Sequence, residues 1–299
     1  IAEQNHLTFL GVSAKYIDSI RKLSLQPKQT HALKSLRTIA STGSPLSHEG
    51  FVYVYENISS NIHLASISGG TDICGCFMLG VPNLPVYAGQ IQGPALGLDV
   101  QVFAEDGKPA GVGVKGELVC QNAFPSVPLY FWDDPDGDKF RSAYFERFTD
   151  VWTHGDFVEV TAEGGYVMHG RSDATLNAGG VRIGTAEIYR ITEEFAEVVE
   201  SLAIAQNWKG DTRVILFVKL SDGAQLSESL IDKIKLALKQ KASPRHVPAL
   251  IMQAPDFPRT KSNKLVEIAV ANAINKVAIT NLGALANPES LDWFINLNL

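Results

Sequence analysis

Apolar residues in this chain come in short packets, and their spacing separates strands from helices. Leu7–Val12 predicts a short buried strand, and Ala14–Leu23 carries apolar positions at helical spacing and predicts an amphipathic helix. Leu36–Ser41 predicts a second strand running into a turn at Thr42-Gly43-Ser44-Pro45. Ser47 is placed to cap a helix with Glu49 in its first turn, although the alternation over Phe51–Tyr55 fits a strand equally well. Ile62–Ile67 predicts a third strand, ending in the loop Ser68-Gly69-Gly70-Thr71-Asp72. Glycine loops at the carboxyl ends of strands are where α/β proteins place ligands.

From Val81 to Val119 the texture changes to short strands punctuated by Gly and Pro, with a hairpin around Asp106-Gly107, which predicts a β-rich subdomain. Asp133–Lys139 reads as an acidic surface loop. Val158–Val160 and Tyr166–His169 predict a hairpin across Glu163-Gly164-Gly165. After Arg171 helices and strands mix: helix Thr185–Val199, strand Arg213–Leu220, helix Ser227–Lys241, strand Ala249–Gln253 and helix Leu265–Lys276. The expected fold class is α/β. A strand-helix layer with a β-rich subdomain fills residues 1–172, and a small α+β domain fills 173–299.

Composition narrows the function classes. Hydrophobic content of 45% and charged content of 19% are those of a globular protein. A net charge of -6 argues against a phosphate-backbone binder, so no nucleic-acid partner is expected. No apolar stretch approaches the ~20 residues that span a bilayer. Cys74, Cys76 and Cys120 have neither disulfide-framework nor zinc spacing and read as buried, reduced thiols of a reducing compartment. The opening Ile1-Ala2-Glu3-Gln4-Asn5-His6 is polar, lacks Met and lacks a signal peptide, which fits a piece of a longer chain.

The densest chemistry lies between Trp152 and Ile188. Asp156 follows Gly155 at the end of an apolar strand, where a carboxylate can accept two hydrogen bonds from a ribose diol. Arg171, at the end of the next hairpin strand, is placed near it. Gly179-Gly180 lets a backbone approach a ligand, and Arg182 offers a guanidinium fork to a phosphate. In the Ser68–Asp72 glycine loop, where Gly70 is a candidate cofactor contact, Thr71 can bond a phosphate oxygen and Asp72 can hold Mg²⁺ on phosphates. Lys264, in the basic run Pro258–Lys264, can stabilise charge on a carboxylate attacking phosphorus. Each has a plain structural reading alone: a turn aspartate, a salt-bridge arginine, a tight glycine turn, a solvated cationic helix entry. No Gly-x-Ser-x-Gly elbow is present, and His154 and His169 read as structural.

Taken in order, Gly43-Ser44-Pro45, Ser68–Asp72, Gly116-Glu117-Leu118, Trp152–Asp156, Gly170–Asp173, Gly179–Ile188 and Pro258–Lys264 resemble the adenylate-forming acyl-CoA synthetase superfamily, in its acetyl-CoA synthetase branch. The resemblance runs nearly end to end but covers only the family's C-terminal portion. It implies a reaction on ATP, Mg²⁺ and coenzyme A in the cytosol, through an acyl-adenylate. It implies Gly43, Ser44 and Pro45 under the adenine, Thr71 and Asp72 at the phosphate and metal, and Asp156 and Arg171 on the ribose. Asp173 matches the hinge of a mobile C-terminal domain. Gly179, Gly180 and Arg182 match the loop near CoA and phosphate, and Lys264 matches the adenylation lysine.

The chain departs from the family pattern in three ways. The Ser/Thr/Gly-rich phosphate loop has no counterpart, so the chain alone is expected to be inactive. Asp72 stands where Glu is usual, one methylene shorter. Asn263 stands where glycine usually precedes the lysine, and Asn tolerates left-handed geometry. Ser68-Gly69-Gly70 is expected to leave room for a longer acid such as acetoacetate. Acetate, propionate and butyrate are the alternatives, as is a non-catalytic nucleotide-binding or interaction module.

Overall fold

The computed structural model describes residues 1–178, 181–209, 211–279 and 282–299. The chain divides into two compact units, Ile1–Met168 and His169–Leu299. The change of unit lies a few residues ahead of the Ser172-Asp173 boundary read from the sequence.

The first unit begins with β1 (Phe9–Ser13), α1 (Ala14–Lys22), α2 (Pro27–Thr30), β2 (Thr38–Thr42), α3 (His48–Tyr53) and β3 (His63–Ser66). The three strands pair in parallel in the order β1-β2-β3. Ser13 and Ser47 cap α1 and α3 through their hydroxyls, accepting from the amides of Tyr16 and Gly50. Helix thus prevails over strand at Phe51: α3 runs into a π turn at Val54–Ile58. Ile39 and Leu64 of the sheet share one buried cluster with Ile17 and Ile20 of α1 and with Phe51 and Val54.

Seven strands follow or flank the second half of this unit: β4 (Ser68–Gly70), β5 (Gly75–Leu79), β6 (Gly93–Pro94), β7 (Val100–Phe103), β8 (Gly116–Cys120), β9 (Trp152–Val160) and β10 (Tyr166–Arg171). They form an antiparallel β4-β5-β6 sheet and a second sheet of order β10-β9-β8-β7. The expected glycine loop therefore starts as a strand, because Ser68–Gly70 pairs with β5 and only Thr71–Cys74 is left to turn. The expected acidic loop ends in α4 (Asp138–Tyr144), whose first turn is capped by the Asp134 carboxylate accepting from the amides of Lys139 and Phe140 at 2.9 Å each. Cys120 is buried, but Cys74 is exposed in its turn, contrary to the expectation of three buried thiols.

In the second unit β11 (Leu176–Ala178) and β12 (Val181–Ile183) form a hairpin before α5 (Thr185–Thr192). Then come β13 (Val198–Trp208), β14 (Asp211–Leu220), α6 (Glu228–Lys241), β15 (Leu250–Gln253), α7 (Glu267–Ile274) and α8 (Ser290–Ile295). The sheet order is β13-β14-β15, with β14 antiparallel to β13 and parallel to β15. Successive side chains of a strand face opposite sides, and both sides are buried here. Val214, Leu216 and Val218 pack with α5 and α6, while Ile215 and Phe217 pack with α7 and α8. The helix expected over Thr185–Val199 stops at Thr192, and β13 takes the apolar run from Val198. The break is fixed by Glu193, whose carboxylate accepts from both the amide and hydroxyl of Ser201 at 2.9 and 3.1 Å. No described helix is long and apolar enough to cross a membrane.

Candidate functional site

Parallel pairing puts the carboxyl ends of β2 and β3 on one edge of the first sheet, so Gly43-Ser44-Pro45 and Ile67-Ser68 leave from the same side. Ile67 is tied back to β2 through its amide, which donates to the Ser41 carbonyl at 2.9 Å. Gly43 sits at φ +88°, in the left-handed region that glycine enters without penalty. Gly43, Ser44 and Pro45 are all exposed.

Asp156 is buried, 7% exposed, on a bulge of β9. Glu117 faces Phe157 and Val119 faces Thr153, so one residue of β8 lies against His154, Gly155 and Asp156 of β9. Gly155 takes φ +81° to make that bend. The Ser68 hydroxyl donates to Asp156 Oδ2 at 3.2 Å, and His154 Nε2 lies 3.8 Å from the same oxygen. Ser68, Gly70, His154 and Asp156 are thereby brought together.

Gly69 and Gly70 do not open acyl space as the sequence reading expected. A Cβ on Gly69 would sit 2.0 Å from the Gly75 carbonyl oxygen, and one on Gly70 would sit 2.8 Å from His154 Cε1. Backbone packing against β5 and the His154 ring is what requires glycine here. Thr71 and Asp72 follow in the exposed turn, closed by the Cys74 amide donating to the Thr71 carbonyl at 3.1 Å. The Asp72 carboxylate accepts from the Tyr144 hydroxyl, and that ring stacks on Trp152 at 3.7 Å. Among the described residues no group of three or more His, Cys, Asp or Glu can hold a metal ion. Asp72 therefore fits Mg²⁺ only as one carboxylate beside ligand phosphates, a common Mg²⁺ arrangement.

In the second unit Arg171 Nη2 meets Asp173 Oδ2 at 3.4 Å, both side chains about half exposed. Arg182, opposite Asn177 in the β11–β12 hairpin, donates to Thr175 Oγ1 at 3.4 Å. Gly179 and Gly180 lie outside the described residues. Lys264 is exposed and ends a tight turn. The Asn263 amide donates to the Thr260 carbonyl at 2.8 Å, and the Thr260 amide to the Lys264 carbonyl at 2.9 Å. Asn263 adopts φ +64°, the left-handed geometry expected where the family has glycine.

The turn is braced at its base. Arg259 pairs with both oxygens of the buried Glu200, and its amide donates to Asn287 Oδ1 at 2.8 Å. Burial works against the Arg259 charge, but the Glu200 carboxylate more than reverses this and holds the guanidinium above its ordinary value. Three residues after Lys264, the Glu267 carboxylate accepts from the Tyr189 hydroxyl at 3.2 Å and approaches Thr185 Oγ1 at 3.5 Å. Burial pushes Glu267 above the usual carboxylate range, with Asp173 adding to the rise and Tyr189 and Arg171 opposing it.

Glu117, Tyr144, Arg259 and Glu267 were given no role from the sequence. The one available signal was a charged residue inside an apolar run, Glu117 in Gly116–Cys120, since charges are seldom fully buried without a partner.

No family model matches the chain. It is 57% identical over 296 residues to an acetoacetyl-coenzyme A synthetase of Rhizobium meliloti (strain 1021), covering 99% of this chain and 45% of the relative. The structure of an acetoacetyl-CoA synthetase from Streptomyces lividans superposes with a TM-score of 0.91 at 38% identity, over 98% of this chain and 45% of that one. An anthranilate CoA ligase, AuaEII, solved in complex with anthranoyl-AMP, shares the fold with a TM-score of 0.73 at 22% identity, over 88% of this chain and 49% of that one. The chain thus spans about half the length of the curated relatives it matches. In sequence along nearly its whole length and in fold, the chain matches the C-terminal part of acetoacetyl-CoA synthetases.

Proposed function

We propose that the chain is the C-terminal part of an enzyme that ligates acetoacetate to coenzyme A at the expense of ATP, in the cytosol. A carboxylate oxygen of the acid attacks the α-phosphorus of ATP, and pyrophosphate leaves with the bonding electrons. The CoA thiolate then attacks the acyl carbonyl, and AMP departs. In this reading the Gly43–Pro45 loop lies under the adenine and Asp156 accepts the ribose hydroxyls, with Arg171 beside them. Thr71 bonds the phosphate, and Asp72 would hold Mg²⁺, which would offset phosphate charge. Lys264 stabilises charge during adenylation. Asp173 is the hinge, and Gly179, Gly180 and Arg182 serve the thioester step after the small domain turns.

The observation that carries the reading is Asp156, an acceptor buried and held beside Ser68 near the sheet edge that releases the adenine loop. The choice of acid rests on the names of the relatives, since the Gly69-Gly70 backbone is closed by packing. Steady-state thioester formation by the full-length gene product tests the reading. The highest kcat/KM is expected with acetoacetate, ahead of butyrate, propionate and acetate. Faster turnover of acetate would overturn the substrate, and no adenylate with any acid would overturn the reaction.

A further inference from the structure

Glu117 is 1% exposed in the middle of β8, a costly place for a carboxylate unless its oxygens are used. One oxygen accepts from the Gly155 amide at 2.8 Å, and the other pairs with the guanidinium of Arg147. Gly155 is the residue at positive φ on which the β9 bulge turns, and Asp156 follows it. Away from the bulge, β8 and β9 run in ordinary antiparallel register. A bulge removes ladder hydrogen bonds, and the amide it frees needs an acceptor. Here that acceptor is a buried charge, with its own countercharge supplied from the segment after α4.

We infer that Glu117 is a positioning residue for ligand recognition: its carboxylate locks the Gly155 bulge so that Asp156 is fixed to receive a ribose diol. This rests on the reading of Asp156 as the ribose acceptor. Glu117 touches no ligand itself. Its removal should therefore cost recognition of the two hydroxyls specifically, not affinity for the nucleotide in general.

The test uses the 299-residue chain and calorimetric titration with AMP and with 2′,3′-dideoxyAMP. Wild type is expected to prefer AMP by about ten- to a hundredfold, the range for hydrogen bonds to a charged acceptor. D156N and E117Q should each reduce that preference to about onefold. The double variant should discriminate no worse than either single one, as for two residues acting through one contact. Should E117Q fail to fold, E117D serves in its place. It keeps the charge facing Arg147, draws the carboxylate back from Gly155, and should speed hydrogen exchange of the Gly155 amide.

If D156N loses the preference while the Glu117 variant keeps it, the positioning role is wrong and the ribose reading stands. If the Glu117 variant weakens AMP and dideoxyAMP equally, its role is merely structural and the inference fails. If wild type shows no preference, or D156N retains it, the ribose reading fails and takes the inference with it.

Discussion

Asp156 and Lys264 are held in opposite ways. Asp156 is buried on a strand bulge whose freed amide is taken by an interior carboxylate, and a serine hydroxyl and a histidine lie against its own Oδ2. Lys264 is exposed on a short turn, secured through its backbone, with the charge-paired bracing one step back at Arg259. Under the roles proposed for them, the difference follows from what each group would be asked to do. An acceptor for a neutral diol gains only if it is fixed before the ligand arrives, because an ordered hydrogen bond is worth little once its entropy is subtracted. A lysine acts as a point charge on a flexible stem and tolerates a mobile head, provided its Cα is in place.

The sharpest way to break this contrast is to remove the brace and leave the turn. Arg259→Ala strands Glu200, 5% exposed, without its countercharge. Breaking a buried ion pair from one side costs about 3–5 kcal/mol. Urea unfolding of the second unit should show that loss, while amides of residues 1–168 keep their hydrogen-exchange protection. A loss under about 1 kcal/mol would mean the pair does not hold the turn's base.

The two regions also differ in how far they were readable from sequence. Gly155-Asp156 announced a carboxylate at a backbone break, although the break is a bulge within β9 and not the strand end that was expected, and Asn263 announced left-handed backbone, because both are local properties of one or two residues. The role of Glu117 was hidden, since it depends on a register difference between β8 and β9, strands more than thirty residues apart. β14 was foreseen nearly to its ends, but β13 was not: its first two residues were taken into a helix and the rest was given no element. A strand buried on both faces has no alternation to show, and Val198–Val199 continued the apolar spacing of α5. Gly69 and Gly70 were read as open space because a sequence lists side chains that are missing, not the backbone that fills their place.

A smaller effect separates geometry from chemistry in the lysine turn. Asn263 at φ +64° is exposed, so its replacement disturbs the backbone and little else. Asn263→Ala should cost about 1 kcal/mol, the penalty of placing a Cβ in the left-handed region without a side chain that bonds locally. Asn263→Gly should be within about 0.5 kcal/mol of wild type or better. Thermal unfolding of the two variants side by side measures the difference. Equal stabilities would show that the turn does not depend on left-handed backbone.

The smallest effect joins the helix that follows Lys264 to the segment that carries Asp173. Glu267 is held above the ordinary carboxylate range, first by burial and then by Asp173. The folded state therefore binds its proton more tightly than the unfolded state does. Folding is favoured by this group at pH below its unfolded value, near 4.5, and that advantage is lost as pH rises through the raised folded value. Glu267→Gln carries no charge at any pH and can still accept from the Tyr189 hydroxyl. Its Tm should exceed that of wild type at pH 7, by less than the Asn263→Ala loss, and the gap should close as pH falls toward 4. A gap that widens on acidification would mean that the charged form of Glu267 is the stabilised one. In that case Arg171 and Tyr189 would outweigh burial and Asp173, and the carboxylate would serve as an anchor for Arg171.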